Sequence, residues 1–358
     1  MIIIFNDSPQ YPNRSVGAYR IASALREHGA EVEVIDFLSR WERLEDLLFN
    51  YLDKIENVEW WGFSGKFRAP RQPLSIITGM LGTQVQTVEG VFTQGSIDFE
   101  NRLINYIKNR NGKIVLGGPG TEHIKIFKDQ VQIDILCEGY ADAGVVAIHE
   151  HIVNNQELIY DTLGNMKVVD CDKNYKDIDL GNISTKYHYS DFIEPETVFP
   201  IEISRGCIFH CAFCSFGHLG KKPGTYIRSK ESIKEDIVDR FEKYGSTKFL
   251  FVDDTFNDSV EKMQMIKEIR DETGIPFEFW SYARLDLLRA QPKMVDLIEE
   301  IGWKSFTFGV ETFNKSSGSA VGKGADPEKL KKFLIDLRAR YPDRLFQINF
   351  IVGLPNDT

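Results

Sequence analysis

The sequence of 358 residues contains no long apolar run. No stretch approaches the roughly 20 consecutive apolar residues that a transmembrane helix requires. The apolar N-terminus, residues 1–5, is short, lacks a basic flank and runs into Asn6 and Asp7. A first β-strand therefore explains it better than a signal peptide. These features predict a cytoplasmic protein that does not insert into a membrane.

Positive charge is also in short supply. Asp and Glu number 53 against 43 Lys and Arg, which gives a formal net charge of −10. This acidic excess argues against a nucleic-acid-binding surface along the whole chain, although a local basic groove stays open as an alternative.

Cysteine is scarce, since five residues in a chain of this length do not resemble a disulfide framework. Three of them, Cys207, Cys211 and Cys214, fall within eight residues, whereas Cys137 and Cys171 stand apart. In a reducing compartment such a cluster binds metal more often than it forms a disulfide. The sequence therefore predicts a metal centre on these three cysteines.

The alternation of apolar runs with helical patterns predicts two α/β domains. Residues 1–153 have the pattern of a doubly wound, Rossmann- or flavodoxin-like parallel sheet. The stretch 66–94, with its prolines and glycines, is expected to cap or flank this sheet. Residues 154–198 are rich in Asp, Asn and Lys and are predicted to form a connector.

Residues 199–358 resume the alternation with longer helices and predict a partial (β/α) barrel of the TIM type. A six-stranded version of this barrel would lack its last strand. We therefore expect a barrel that is C-terminally incomplete or is completed by other means. The predicted strands cover residues 199–204, 248–252, 277–283, 305–310 and 346–352. A helix is predicted over residues 258–273, with Asp258 and Glu261 as a cap-like start and with Met263, Ile266 and Ile269 facing inward.

The cysteine cluster suits an iron–sulfur centre, because thiolates are the usual ligands of such clusters. Three thiolates from one loop can hold three irons of a [4Fe–4S] cube and leave the fourth iron open for a substrate or cofactor. The alternative is a structural zinc site with His210 or His218 as fourth ligand. Zinc sites usually combine two short Cys/His pairs, and the sequence has no second pair.

The spacing Cys-x3-Cys-x2-Cys, with the aromatic Phe213 before the last cysteine, resembles the signature of the radical S-adenosylmethionine (SAM) superfamily. The resemblance extends over residues 199–355. It implies that SAM binds the open iron through its amine and carboxylate, and that a low-potential donor such as flavodoxin or ferredoxin supplies an electron that cleaves the sulfonium. The resulting 5′-deoxyadenosyl radical abstracts hydrogen from a substrate. The same resemblance predicts that Phe213 contacts the cofactor.

Further site residues follow from the same resemblance. It implies that the acidic pair Asp253 and Asp254 faces the cofactor ammonium, and that Arg284 pairs with the cofactor carboxylate. Glu311 is expected to bind the ribose hydroxyls, because a carboxylate can accept two hydrogen bonds from a diol. Residues 351–355 are expected to pack against adenine. The alternatives are that the two aspartates cap the next helix or a turn and that Arg284 forms a surface ion pair with Asp286.

The first domain resembles the cobalamin-binding domain that often precedes such a barrel. The likeness lies in residues 17–36, 117–119 and 137–139 and in Asp142. In many members an Asp-x-His-x-x-Gly loop supplies a histidine to cobalt, whereas residues 7–9 of this sequence are Asp-Ser-Pro. Cobalamin would then bind without a protein ligand, or the domain would serve substrate binding instead.

The sequence thus predicts an enzyme that uses a [4Fe–4S] cluster and SAM for hydrogen abstraction, or for methyl transfer or a rearrangement if cobalamin also binds. Two alternatives belong to different classes. One is a non-catalytic iron–sulfur or zinc-binding protein. The other is a truncated, inactive relative that loads a cluster without cleaving SAM.

Overall fold

The computed structural model describes residues 1–8, 13–64, 94–118, 132–175, 179–191, 193–194, 196–214 and 219–357. The chain divides into two compact units. The first comprises residues 1–11, 15–178 and 185–193, and the second comprises residues 12–14, 179–184 and 194–358. The predicted flanking segment 66–94 lies, except for its last residue, outside the described residues.

A seven-stranded sheet forms the centre of the first unit. Its strands are β1 (Ile2–Phe5), β2 (Val32–Ile35), β3 (Trp60–Ser64), β4 (Ile114–Gly117), β5 (Ile135–Glu138), β6 (Asp161–Leu163) and β7 (Met166–Asp170). Their spatial order is β2-β1-β3-β4-β5-β7-β6, and only the edge strand β6 runs antiparallel to its neighbour. The chain continues from β1 to β2 on one side and then to β3 on the other side of β1. This reversal of direction is typical of doubly wound sheets, so the predicted fold is confirmed.

Strands that are apolar along their whole length explain how this sheet is buried. Every residue of β1 is buried, and Trp60, Trp61 and Phe63 of β3 are at most 3% exposed. A parallel sheet that is covered on both faces requires such continuous apolar strands. The three aromatic residues of β3 are therefore core residues.

The hairpin β6–β7 lies within the segment 154–198 that the sequence analysis treats as a connector. Strand β7 pairs in parallel with β5 and extends the first sheet, while β6 covers the edge. The apolar pattern is weak because two of the three β6 residues are exposed. A usable signal is Gly164-Asn165 between the two strands, since Gly-Asn suits a two-residue hairpin turn.

The second unit contains a five-stranded parallel sheet whose strands are β8 (Phe199–Glu202), β9 (Lys248–Val252), β10 (Glu278–Ala283), β11 (Trp303–Glu311) and β12 (Leu345–Phe350). Each strand pairs with the next one along the chain. All five predicted strands are present with shifts at their ends. Because the strands are parallel and sequential, their carboxyl ends lie along the same edge of the sheet.

Helices connect the strands in both units. The described α-helices are α1 (Val16–Glu27), α2 (Leu44–Leu52), α3 (Gln94–Lys108), α4 (Gly144–Asn154), α5 (Cys171–Asn174), α6 (Lys230–Tyr244), α7 (Val260–Thr273), α8 (Leu285–Ala290), α9 (Pro292–Glu300), α10 (Lys315–Ala320) and α11 (Pro327–Arg340). Across the described ranges, none of the helices is sufficiently long and apolar to cross a membrane.

Helix α7 packs as its sequence predicts but begins one residue later. Met263, Ile266 and Ile269 are fully buried, in agreement with the predicted inward face. The N-cap is Ser259, whose hydroxyl accepts a hydrogen bond from the backbone N–H of the third helical residue, and the expected cap Asp258 is therefore wrong. Serine is as good a cap as aspartate, and this leaves the Asp258 carboxylate free for an ion pair.

The loop between β9 and α7 is fixed by a buried aspartate–lysine cluster, formed by Asp253, Asp258 and Lys262. The Lys262 ammonium lies 2.9 Å from Asp253 Oδ2 and 3.0 Å from Asp258 Oδ1, and it donates to the Thr255 carbonyl at 3.2 Å. Burial lowers the pKa of Lys262, but the charges of the two aspartates outweigh burial and raise it above the ordinary value. The ammonium therefore remains charged inside the protein.

Replacement of Lys262 by methionine should lower the free energy of unfolding of the second unit by about 3–5 kcal/mol, because two buried carboxylates lose their counter-charge. Urea denaturation of the purified variant measures this loss. The matched control is Lys267→Met on the same helix, where a partly exposed ion pair should contribute about 1 kcal/mol or less. Equal effects of the two substitutions would contradict the role of the cluster.

Candidate active site

The three predicted ligand cysteines lie on the loop that follows β8, the first strand of the second sheet. Gly206 precedes them with φ +136°, a conformation that side-chain-bearing residues rarely adopt, and this turn directs the chain into the cysteine loop. Cys207 is buried, while Cys211 and Cys214 are half-buried, and none of the three forms a disulfide. The loop places them at the carboxyl end of a parallel strand, where ligands of such folds bind.

Backbone hydrogen bonds hold this loop in shape. The Cys214 N–H donates to the Cys211 carbonyl at 3.0 Å, which closes a turn between the second and third cysteines. The Cys207 carbonyl accepts from the Lys221 N–H at 3.0 Å, and the Ala212 N–H donates to the Val321 carbonyl at 3.3 Å. The loop is thus fixed both to the segment after it and to the end of α10.

Two of the cysteine sulfurs each accept a hydrogen bond from a nitrogen. The Phe209 N–H donates to Cys207 Sγ at 3.5 Å, and the Thr255 hydroxyl, which donates to the Asp254 carbonyl, lies 3.4 Å from the same sulfur. Cys211 Sγ accepts from Arg284 Nη1 at 3.7 Å. Donors and a cation beside sulfur stabilise thiolates rather than thiols. The surroundings of these cysteines therefore suit an anionic iron–sulfur cluster.

Arg284 is held firmly in the site. The Asn257 side chain bonds to the backbone of Arg284 twice, at 2.8 Å and 2.9 Å, and the guanidinium lies 3.9 Å from the centre of the Phe209 ring. Asp286 accepts two hydrogen bonds from the same guanidinium, at 2.7 Å and 3.1 Å. The alternative of an ion pair with Asp286 is thus present, with Arg284 buried beside Cys211 and Asp286 half-buried.

Glu311 lies at the end of β11 in a strained turn. Its φ is +67°, unusual for glutamate, and the Thr312 N–H donates to the Val310 carbonyl at 2.9 Å to close a three-residue turn around it. The pairing of β11 with β12 shifts register here, which is a β-bulge. Conformations of this kind cost about 1–3 kcal/mol and concentrate at functional sites. The Glu311 side chain at this turn is buried.

The two aspartates after β9, Asp253 and Asp254, have different surroundings. Asp253 points inward, where it pairs with Lys262 and accepts the Thr255 N–H at 2.9 Å, so the expectation that both carboxylates face the cofactor is wrong for this residue. Asp254 is half-buried and makes no ion pair with Lys262. Burial and then the charge of Asp253 raise the pKa of Asp254 to about 6. Of the pair, only Asp254 keeps a carboxyl that is available to a ligand.

The remaining predicted residues have separate positions. Phe213 lies on the turn between the last two cysteines and is 37% exposed. His210, a zinc candidate, is exposed and packs against Gly220, where a Cβ atom would lie 1.8 Å from its Nε2. His218 lies outside the described residues. Among the described residues, no three side chains of His, Cys, Asp or Glu converge closely enough to hold one metal ion.

The sequence analysis did not identify Thr255, Asn257 or Lys323 as site residues. Thr255 contacts Cys207, Asn257 fixes Arg284, and Lys323 donates to the Gly309 carbonyl at 2.7 Å. The available signal for the first two was their position directly after a barrel strand. Lys323 offered no signal, because it follows a short helix in a stretch without apolar periodicity.

The first unit carries buried polar groups at the carboxyl ends of β1 and β2. The Ser8 N–H and hydroxyl each donate to Asp36 at 2.8 Å. Asn6 is fully buried, and its Oδ1 finds no hydrogen-bond partner among the described residues. Asp142 is buried and accepts from Arg20 Nε at 2.6 Å, which makes it part of an internal pair. An unpaired acceptor at the ligand edge of a parallel sheet fits a polar ligand.

Comparison with known proteins agrees with this geometry. Residues 201–358 match the model of the Radical SAM superfamily. The ribosomal protein uS12 methylthiotransferase RimO of Thermotoga maritima is 28% identical over 166 residues, which are 44% of this chain and 38% of the relative. Cytidylyl-2-hydroxyethylphosphonate methyltransferase of Streptomyces wedmorensis is 26% identical over 129 residues, 36% of this chain and 23% of that protein. These matches cover much less than two thirds of the relatives' own length.

Solved structures resemble the fold of the whole chain. The radical SAM methyltransferase TsrM from Kitasatospora setae, solved with cobalamin and a [4Fe–4S] cluster, matches with a TM-score of 0.70 at 14% identity. That match covers 100% of this chain and 70% of TsrM. The cobalamin-dependent SAM radical enzyme OxsB matches with a TM-score of 0.66 at 16% identity over 98% of this chain and 49% of OxsB. The predicted order of the two folds is thereby confirmed.

The raised pKa of Asp254 generates a pH-dependent prediction. Its folded-state pKa of about 6 exceeds the ordinary value of 3.8, so its protonation stabilises the folded state below pH ~4, and this contribution is lost as the pH rises through ~6. The free energy of unfolding of Asp254→Asn should therefore increase relative to that of the native protein as the pH rises from ~4 to ~6. The full difference, ~3 kcal/mol at most, is reached above pH ~6. Urea denaturation of both cluster-free proteins at acidic and neutral pH measures the difference. A difference that does not change with pH would contradict the assignment.

Proposed function

We propose that the chain is a radical SAM enzyme whose Cys207, Cys211 and Cys214 hold a [4Fe–4S] cluster with one open iron. The observation that carries the proposal is the position of three cysteines, none of them in a disulfide, on one loop at the ligand edge of a parallel sheet, with the Arg284 guanidinium 3.7 Å from Cys211 Sγ. The match of residues 201–358 to the superfamily model supports it. When bound, the cluster and SAM supply the 5′-deoxyadenosyl radical.

The protein's own residues bind and orient the two cofactors in this proposal. The three thiolates would each bind a different iron, which does not require them to converge on one ion. Arg284 supplies positive charge beside these anionic ligands, and its pairing with Asp286 keeps the guanidinium in one orientation. Glu311 would accept hydrogen bonds from the two ribose hydroxyls of SAM. Asp254 would bind the SAM ammonium as a carboxylate, which its pKa of about 6 permits at neutral pH.

Methyl transfer with cobalamin is the form of this chemistry that the similar proteins favour. The names of the similar proteins include methyltransferases and methylthiotransferases, and TsrM and OxsB were solved with cobalamin. The carboxyl ends of β1 and β2, where Asn6 and Ser8 lie, would face that cofactor. Since residues 7–9 provide no histidine, cobalamin would bind there without a histidine from this loop.

An anaerobic SAM-cleavage assay tests the proposal. Protein reconstituted with iron and sulfide, reduced with dithionite in place of a flavodoxin- or ferredoxin-like donor, should convert SAM to 5′-deoxyadenosine and methionine. If methyl transfer dominates, the same protein with added cobalamin as methyl acceptor should produce S-adenosylhomocysteine. The Cys211→Ala variant, which should fold normally because Cys211 is only half-buried, should lose this activity. Mass spectrometry quantifies both products.

Three outcomes would overturn the proposal. A fully iron-loaded protein that produces neither compound would indicate a non-catalytic iron–sulfur protein or an inactive relative. A Cys211→Ala variant with unchanged iron content and activity would remove this cysteine from the site. Purified protein that contains zinc and takes up no iron would support the structural zinc alternative.

A further inference from the structure

We propose that Lys323 is a positioning residue that holds the Glu311 carboxylate in place for the ribose of SAM. The inference rests on the proposed function, because it assigns to Lys323 an effect that acts through Glu311. It is carried by two contacts of the Lys323 ammonium, one with the Gly309 carbonyl before the strained turn at the end of β11 and one with the Glu311 carboxylate within that turn.

The strained turn leaves Glu311 dependent on outside support. The positive φ of Glu311 and the bulge beside it are unfavourable for a glutamate in isolation. The following strand holds one side of the turn, since the Ile351 N–H donates to the Glu311 carbonyl at 2.9 Å. This bond fixes the backbone but not the side chain. Another group must therefore set the direction of the carboxylate.

Lys323 is the group that sets the direction of the carboxylate, and Gly309 leaves the space for it. A Cβ atom at position 309 would lie 2.5 Å from Glu311 Oε1, so only glycine lets the carboxylate lie against the strand. The Lys323 ammonium donates to the Gly309 carbonyl at 2.7 Å and lies 3.7 Å from Glu311 Oε1. It thus holds the backbone before the turn and the carboxylate within the turn at the same time.

The position of Lys323 is itself fixed by the end of α10. Its N–H donates to the Gly318 carbonyl at 2.7 Å, and a Cβ atom at Gly318 would lie 2.7 Å from the Lys323 carbonyl. Its side chain is only 11% exposed. A long, flexible side chain has therefore been confined to one direction, toward Gly309 and Glu311, which is what a positioning role requires.

A double-mutant cycle distinguishes positioning from direct contact with SAM. Equilibrium dialysis with labelled SAM measures the Kd of the reconstituted, unreduced protein and of the variants Lys323→Met, Glu311→Gln and the two combined. Each single substitution should raise the Kd on the order of tenfold. The double variant should bind no more weakly than Glu311→Gln alone, because Lys323 acts through that carboxylate. The exposed Lys332→Met on α11 is the matched control and should leave the Kd unchanged.

The proposal is overturned if Lys323→Met binds SAM like the native protein. It is also overturned if Lys323→Met weakens binding by the same factor in the Glu311→Gln background, since the ammonium would then contact SAM independently.

A second cycle, on urea midpoints of the same four proteins, does not require SAM. A non-additive midpoint shift there, together with no SAM binding by the iron-loaded native protein, would refute the proposed function and the role toward ribose while leaving the Lys323–Glu311 contact intact. Additive shifts would refute the contact itself.

Discussion

The buried ammonium of Lys262 fixes the loop on which the candidate site depends. It forms ion pairs with Asp253 and Asp258 and donates to the Thr255 carbonyl, so that it ties the loop after β9 to α7. From this loop the Thr255 hydroxyl reaches Cys207 and Asn257 fixes the backbone of Arg284. A charge removed from solvent is tolerated only when it is fully paired. The position of the cysteine loop therefore depends on the buried ion pairs of Lys262 inside the second unit.

The second sheet brings the candidate residues together because its strands are parallel and sequential. Cys207 follows β8, Asp254 follows β9, Arg284 follows β10 and Glu311 ends β11. Each of these four strands thus contributes one side chain to the same edge, although the residues are far apart in sequence. The ion pairs of Glu311 with Lys323 and of Arg284 with Asp286 hold these side chains before any ligand binds. Preorganised groups of this kind bind a charged cofactor without further ordering cost.

Elements with strong apolar periodicity could be predicted from the sequence, and those determined by tertiary contacts could not. The five strands of the second sheet and the buried face of α7 follow from their apolar spacing. The β6–β7 hairpin has an exposed, polar edge strand and therefore leaves little periodic signal. The inward direction of Asp253 depends on Lys262, nine residues away on α7. A pattern of residue types does not reveal which of two adjacent carboxylates meets a buried ammonium.

The central claim is that three thiolates hold a cluster and leave one iron free for SAM. The similar structures share the fold at low identity, and a shared fold does not by itself establish chemistry. Mössbauer spectroscopy of protein reconstituted with isotopically enriched iron, before and after addition of SAM, tests the claim most directly. The account predicts a cubane spectrum in which a single iron changes its isomer shift when SAM binds. A spectrum in which SAM alters none of the irons, although the cluster is complete, would contradict it.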